Sequence, residues 1–224
     1  MFSPQKPISY LITSGVTKAA TTFSSKDLQQ ILQLIAAAVT AKIDLIQVRE
    51  KELTTKVLYE LVASAAELTR GSTTRLLVND RADVAASAGA DGVHLTTQSL
   101  PASVVRKSFG DDFLIGVSTH SLVEARMARD AHADFAVFGP VFPTPSKEKY
   151  GPAVGLELLR QVCGELNEFP VLAIGGVSED NFAACLRAGA QGVAAIRMFG
   201  ELDVLSSIAE RIHEEPGNSL RSRR

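Results

Sequence analysis

At 224 residues, 46% of them hydrophobic, the chain can bury one sizeable core and falls within the range of a single α/β barrel. A formal net charge of −2 gives no electrostatic reason to expect nucleic acid or a membrane surface as a partner. No apolar stretch reaches the roughly 18 residues of a membrane span, and Met1 to Pro7 lack the apolar run of a secretory signal.

Strands are expected at about 8–13, 44–49, 75–79, 92–96, 114–118, 135–139, 171–175 and 192–197. All are continuous apolar runs, the pattern of strands buried on both faces in a parallel sheet. Between the first two, Leu28, Ile31, Leu32, Ile35 and Val39 repeat at helical spacing, with Ser24 or Ser25 as the cap. Leu58, Leu61, Val62, Ala65 and Leu68 form the next stripe, and Ser178 is the expected cap of the seventh helix. Cys163 and Cys185 fall in helical patterns and read as small core residues of a protein in the reducing cytoplasm.

One junction recurs. Ala41-Lys42-Ile43-Asp44 resembles Ala88-Gly89-Ala90-Asp91, Ala131-His132-Ala133-Asp134 and Ala188-Gly189-Ala190-Gln191, each followed by an apolar strand. The glycines suit a left-handed helix C-terminus. A repeated βα unit predicts a (βα)8 TIM barrel in a single domain over 1–224, with the barrel at about 8–213. The polar, basic tail 216–224 is expected to be disordered. Homo-oligomerisation is left open.

In such a barrel the chemistry sits where strands end. Gln47, Arg49 and Lys51 alternate at the end of strand 2 and share a face, so two cations and an amide aim at one point. That suits an anion rich in oxygens, such as a diphosphate. Glu50 paired to a lysine is the bland alternative. Asn79-Asp80 ends strand 3, and Asp80 is a candidate ligand for Mg²⁺, which prefers carboxylates and phosphate oxygens. Ser118 ends strand 5 as a hydroxyl donor. His120 is at least as well read as structural, and His94 as a satisfied core histidine. After strand 6, Thr144, Ser146 and Lys147 offer two hydroxyls and a cation, and 148–151 suit a closing lid. Gly175 and Gly176, with the backbone at Ala195 and Ile196, lie where this barrel class holds phosphate, and a helix starting near Ser178 adds a favourable dipole.

Jointly, these motifs resemble the thiamine phosphate synthase family, which includes the related thiazole tautomerases. The resemblance runs over roughly residues 8 to 200 and rests on Gln47-Val48-Arg49-Glu50-Lys51, Asn79-Asp80-Arg81, Asp91-Gly92-Val93-His94-Leu95 and Ser118-Thr119-His120-Ser121. Gly139-Pro140-Val141-Phe142-Pro143-Thr144-Pro145-Ser146-Lys147 and Ala173-Ile174-Gly175-Gly176 complete it. The resemblance implies condensation of hydroxymethylpyrimidine diphosphate with thiazole phosphate. Gln47, Arg49, Lys51, Asn79 and Lys147 would then hold the pyrimidine and its diphosphate, Ser118 the pyrimidine or the pyrophosphate, and Asp80 the Mg²⁺. Thr144, Ser146, Gly176 and the backbone at Ala195 and Ile196 would hold the thiazole phosphate.

The synthases usually carry Gly-Gln-x-Asp after strand 4, its aspartate a second Mg²⁺ ligand. This chain has Thr96-Thr97-Gln98-Ser99. The tautomerases typically carry an acid/base histidine where this chain has Pro140. The resemblance therefore implies a synthase with one metal carboxylate missing. Its rivals are a tautomerase-like isomerase and a non-catalytic thiazole or thiamine phosphate-binding barrel.

Overall fold

The eight apolar runs form eight strands: β1 (Ile8–Ile12), β2 (Leu45–Val48), β3 (Arg75–Asn79), β4 (Gly92–Leu95), β5 (Leu114–Thr119), β6 (Phe135–Phe138), β7 (Val171–Ile174) and β8 (Gly192–Ala195). Helices α1 (Lys26–Thr40), α2 (Thr55–Thr69), α3 (Ala82–Ala88), α4 (Ala102–Phe109), α5 (Leu122–Asp130), α6 (Gly155–Glu165), α7 (Phe182–Arg187) and α8 (Leu205–Glu214) alternate with them. The computed structural model describes residues 6–144 and 153–216. The expectations for Ser146, Lys147, the lid at 148–151 and the tail beyond 216 lie outside the described residues.

Each strand pairs in parallel with its neighbour in sequence, and β8 returns to β1 with Ile8 opposite Gly192, closing the barrel. Strand alternation then divides the apolar residues into two cores. Outward-facing Leu11, Ile46, Val48, Leu76, Val78, Val93 and Ile115 pack against the helices. Inward-facing Ile8, Tyr10, Ile12, Leu45, Leu77, Phe135, Val137, Leu172 and Ala194 fill the lumen. A fully buried Leu, Ile, Val or Phe stabilises by about 1.5–3 kcal/mol, so the runs are continuous because both faces of each strand contribute. Among the described residues no helix is long and apolar enough to cross a membrane.

The recurring junction has a physical basis. Lys42 (φ 58°), Gly89 (φ 77°), His132 (φ 61°) and Gly189 (φ 106°) are all left-handed, so the fold demands this backbone whether or not glycine supplies it. Two residues on at the first three of these, an aspartate braces the preceding strand. Asp44 accepts from the Ser9 amide at 2.9 Å, Asp91 from Leu76 at 2.8 Å and Asp134 from Ile115 at 2.7 Å. Each carboxylate also meets a basic side chain: His213 for Asp44, Arg75 for Asp91 and Arg106 for Asp134. This end of the barrel therefore serves stability and leaves the opposite rim for chemistry.

Several local expectations are corrected. Ser25 occupies the α1 cap position without bonding the helix, because its hydroxyl accepts from the Thr22 amide instead. Leu68 leaves the α2 stripe and is 39% exposed. The seventh helix starts at Phe182 with Asn181 at its cap position, so no helix begins at Ser178. The last strand ends at Ala195, and Arg197–Phe199 forms a 3-10 turn. Cys163 and Cys185 are buried, as expected of core residues.

Candidate active site

The end of β2 supplies the densest chemistry. Gln47 follows inward-facing Leu45 by two residues, is 1% exposed, and donates from Nε2 to Tyr10 Oη at 2.8 Å. Arg49 continues that face, half buried, and its amide donates to Thr13 Oγ1 at 2.8 Å. Lys51 lies one step further out and is exposed.

Among the described residues Glu50 pairs with no lysine. It is 3% exposed and accepts from the Gly15 amide at 3.1 Å, the Thr17 amide at 3.2 Å and the Thr17 hydroxyl at 2.8 Å. It thereby folds the β1–α1 loop down beside Arg49. Three contacts more than 30 residues away in sequence explain why its role could not be read locally.

On β3, Asn79 is two residues beyond inward-facing Leu77 and shares its face. Asp80 then turns the chain with φ 62°, a left-handed conformation unusual for a residue with a side chain. Its amide donates to the His94 carbonyl at 2.9 Å, and its carboxylate stays exposed. Among the described residues that carboxylate has no hydrogen-bond or ion-pair partner.

His94 is the satisfied core histidine expected, yet it reaches the site. It is 3% exposed, with Nδ1 3.1 Å from Tyr10 Oη and Nε2 2.9 Å from Ser118 Oγ. Burial pushes its pKa down to about 3, with the Arg49 charge adding to the effect, so the ring is neutral near pH 7. Burial likewise raises the Tyr10 phenol, against the opposing hydrogen bond from Gln47. Gly116 leaves room for these rings: a Cβ there would lie 2.3 Å from Phe135 Cζ and 3.0 Å from His94 Nδ1.

The β6 and β7 ends form the other wall. Val141 N donates to the Ile174 carbonyl at 2.8 Å and Phe142 N to the Gly175 carbonyl at 2.9 Å. A Cβ on Gly175 would meet Pro140 at 2.4 Å, and one on Gly176 would meet Phe142 at 2.7 Å. Only glycine lets this loop close down, and it carries buried Thr144 to the rim. Asn181, missed by sequence reasoning, pins the turn, donating to the Gly176 carbonyl and accepting from the Ser178 amide, both at 2.9 Å. Ala195 faces the helices, so only its backbone borders the mouth, whereas Ile196 packs against the lumen.

His120 is structural. Its ring bonds the Gly139 carbonyl and its amide bonds Glu124. Ser99 braces its own loop: Thr96 N donates to Ser99 Oγ at 2.7 Å.

A family model described as thiamine monophosphate synthase matches residues 16–199. The chain belongs to this family. Among thiamine monophosphate synthase relatives, the thiamine-phosphate synthase of Moorella thermoacetica is 40% identical over 184 residues, covering 82% of this chain and 87% of that protein. The one from Haloarcula marismortui is 37% identical over 209 residues, covering 91% and 94%. A solved thiamine phosphate pyrophosphorylase from Pyrococcus furiosus superposes with a TM-score of 0.76 at 30% identity, covering 93% of this chain and 98% of its own. More distant barrels, such as a 3-hexulose-6-phosphate synthase with a TM-score of 0.64 at 16% identity, share only the fold. Within the thiamine monophosphate synthase fold, the Gln47, Arg49, Asn79 and Ser118 side chains all belong to the inward face at the C-terminal ends of β2, β3 and β5.

Proposed function

We propose that the chain is a thiamine phosphate synthase, a transferase that joins hydroxymethylpyrimidine diphosphate to thiazole phosphate and releases pyrophosphate. The observation that carries this reading is the shared inward face of Gln47, Arg49, Asn79 and Ser118 at one barrel mouth, in a chain of this family. Gln47 and Asn79 orient the pyrimidine. Arg49 and Lys51, with Lys147, hold the diphosphate, and Ser118 donates a hydrogen bond. Thr144, Ser146, the Gly175-Gly176 turn and the backbone at Ala195 and Ile196 hold the thiazole phosphate.

The bond between the pyrimidine methylene carbon and the diphosphate oxygen breaks, and its electrons leave with pyrophosphate. The thiazole nitrogen lone pair then forms the new carbon–nitrogen bond. Charge builds on the leaving oxygens as the first bond stretches, so cations and hydroxyls aimed there bind the transition state more tightly than the substrate. Holding both substrates in one mouth contributes the positioning.

Mg²⁺ is part of the proposal, and the residues present fit it through one carboxylate. Asp80 offers an exposed carboxylate without a partner among the described residues, on a backbone turned left-handed at the rim. Ser99 supplies no charge, and its hydroxyl is engaged by Thr96. Among the described residues no group of three or more His, Cys, Asp or Glu could hold a metal, so Mg²⁺ at Asp80 would draw its remaining ligands from substrate oxygens and water. When bound, Mg²⁺ would offset charge on the leaving group. A cytoplasmic setting belongs to the same reading.

Incubation with both phosphorylated precursors and Mg²⁺ should yield thiamine phosphate and pyrophosphate in equal amounts. A rearranged thiazole formed without the pyrimidine would put an isomerase in its place. Binding of either phosphate without turnover would point to a carrier.

A further inference from the structure

Four polar side chains cross the lumen in a single file. Tyr10 on β1, Gln47 on β2 and His94 on β4 are 0%, 1% and 3% exposed, among the few polar groups inside a barrel otherwise filled with aliphatic and aromatic carbon. Ser118 on β5 is only partly buried and stands at the end of the file. The contacts run Gln47 Nε2 to Tyr10 Oη at 2.8 Å, Tyr10 Oη to His94 Nδ1 at 3.1 Å and His94 Nε2 to Ser118 Oγ at 2.9 Å. A buried polar network is costly unless every member is satisfied, so its survival beside the mouth calls for a role.

We propose that Tyr10 and His94 are positioning residues in a one-directional hydrogen-bond relay that commits the Ser118 hydroxyl proton to point into the mouth. The relay rests on the synthase reading only for the identity of the acceptor, an oxygen of the pyrophosphate group.

The direction follows from counting protons. A Gln47 N–H occupies one lone pair of the Tyr10 oxygen. The single Tyr10 proton then goes to His94 Nδ1, the other group in contact with that oxygen. A bare Nδ1 in a neutral imidazole places the ring proton on Nε2. Nε2–H therefore donates to Ser118 Oγ, and the Ser118 proton is left to turn away from the ring. Running the file backwards would require either the Gln47 carbonyl to face Tyr10 or the buried Tyr10 proton to go without an acceptor. It would also leave Ser118 presenting only lone pairs to an anion held by Arg49 and Lys51. A bound anion selects the forward direction, and the relay in turn holds a donor ready for the anion. The Tyr10, His94 and Phe135 rings fix the geometry, with centroids 5.8 Å apart for Tyr10–His94 and 6.2 Å for His94–Phe135.

Two measurements test the relay on the full-length protein. Nitrogen NMR with labelled histidine, with and without inorganic pyrophosphate, should report the Nε2–H tautomer for His94; an Nδ1–H tautomer would overturn the proposal. Calorimetry with inorganic pyrophosphate should show Tyr10→Phe weakening binding about tenfold, the size of one hydrogen bond to a charged group. In a Ser118→Ala background the same change should cost less than about twofold, because the relay has lost its terminus. Equal losses in both backgrounds would overturn the relay and leave Tyr10 a packing residue. If Tyr10→Phe does not fold, the wild-type tautomer decides alone. If wild-type protein binds no pyrophosphate, the synthase reading suffers, and the tautomer still decides the relay.

Discussion

His213 Nε2 lies 2.8 Å from Asp44 Oδ2, tying the last helix to the turn that opens β2. The same carboxylate oxygen accepts from the Ser9 amide and hydroxyl, and Lys6 Nζ stands 3.7 Å from its partner oxygen. Burial alone would raise the Asp44 pKa. The hydrogen bonds from His213 and Ser9 outweigh it and hold the carboxyl below its usual range.

A carboxylate with a depressed folded pKa stabilises fully above its unfolded value of about 3.9, and that stability is lost as pH falls through the lower folded value. Asp44→Asn should therefore cost about 1–3 kcal/mol near pH 7, the range for a charge-assisted hydrogen bond. The gap between wild type and variant should narrow below about pH 4. Urea midpoints across a pH series give the answer. A gap that stays constant down to pH 2 would remove the charge from the explanation.

The left-handed junction makes a paired prediction with opposite signs. A Cβ on Gly89 would meet nothing within 4 Å, so Gly89→Ala tests backbone conformation alone. It should destabilise by about 1 kcal/mol, since an L-residue strains at this φ. Lys42→Gly relieves the same strain at φ 58° and should stabilise by up to about 1 kcal/mol, less the entropy glycine gains on unfolding. Thermal melts of both variants check it, and a loss in both would show that packing of the Lys42 side chain outweighs backbone strain.

Much of the fold was legible because its causes are local. Continuous apolar runs set the strands, and the recurring junction that begins with alanine and ends in aspartate or glutamine three residues later marked the βα repeat. The rim could be read once strand ends were known: Gln47, Arg49 and Lys51 alternate from the end of β2, and Asn79 and Ser118 stand at the ends of β3 and β5. What escaped depends on distant partners. Tyr10 looks like one more apolar residue in Ile8-Ser9-Tyr10-Leu11-Ile12, and only neighbours 37 and 84 positions away give its hydroxyl a purpose. Glu50 looked like a surface charge until the β1–α1 loop folded onto it. Ser178 looked like a cap because its hydroxyl can bond backbone locally, but Asn181 holds the cap position, and its side chain turns back to bind Ser178 N and the Gly176 carbonyl rather than the helix.

The cationic rim is graded by burial. Arg49 is half buried and close enough to His94 to depress its pKa, whereas Lys51 is exposed and screened by water. Arg49→Ala should weaken diphosphate binding by about 1.5–3 kcal/mol and Lys51→Ala by less, roughly 1 kcal/mol or under. Thiazole phosphate affinity should change little in either variant, because that ligand is assigned to the β6–β8 wall. Calorimetry with each ligand separately would expose an error if both ligands lost affinity equally.

The last prediction concerns metal affinity, and it turns on the loop after β4. Ser99 Oγ accepts the Thr96 amide at 2.7 Å, closing a turn that an aspartate closes equally well. Ser99→Asp should therefore keep the loop and add one carboxylate to a rim where Asp80 now offers its own. Mg²⁺ lacking a protein ligand leans on water and substrate oxygens, so wild type should be active but demand more metal. Ser99→Asp should lower the Mg²⁺ concentration for half-maximal rate by on the order of tenfold, which corresponds to about 1.4 kcal/mol. Asp80→Ala should abolish turnover in either background while leaving the fold intact. A folded Asp80→Ala variant with wild-type Mg²⁺ dependence would dismiss Asp80 as a ligand. If neither wild type nor Ser99→Asp makes thiamine phosphate at any Mg²⁺ concentration, the synthase reading gives way to an isomerase or a carrier.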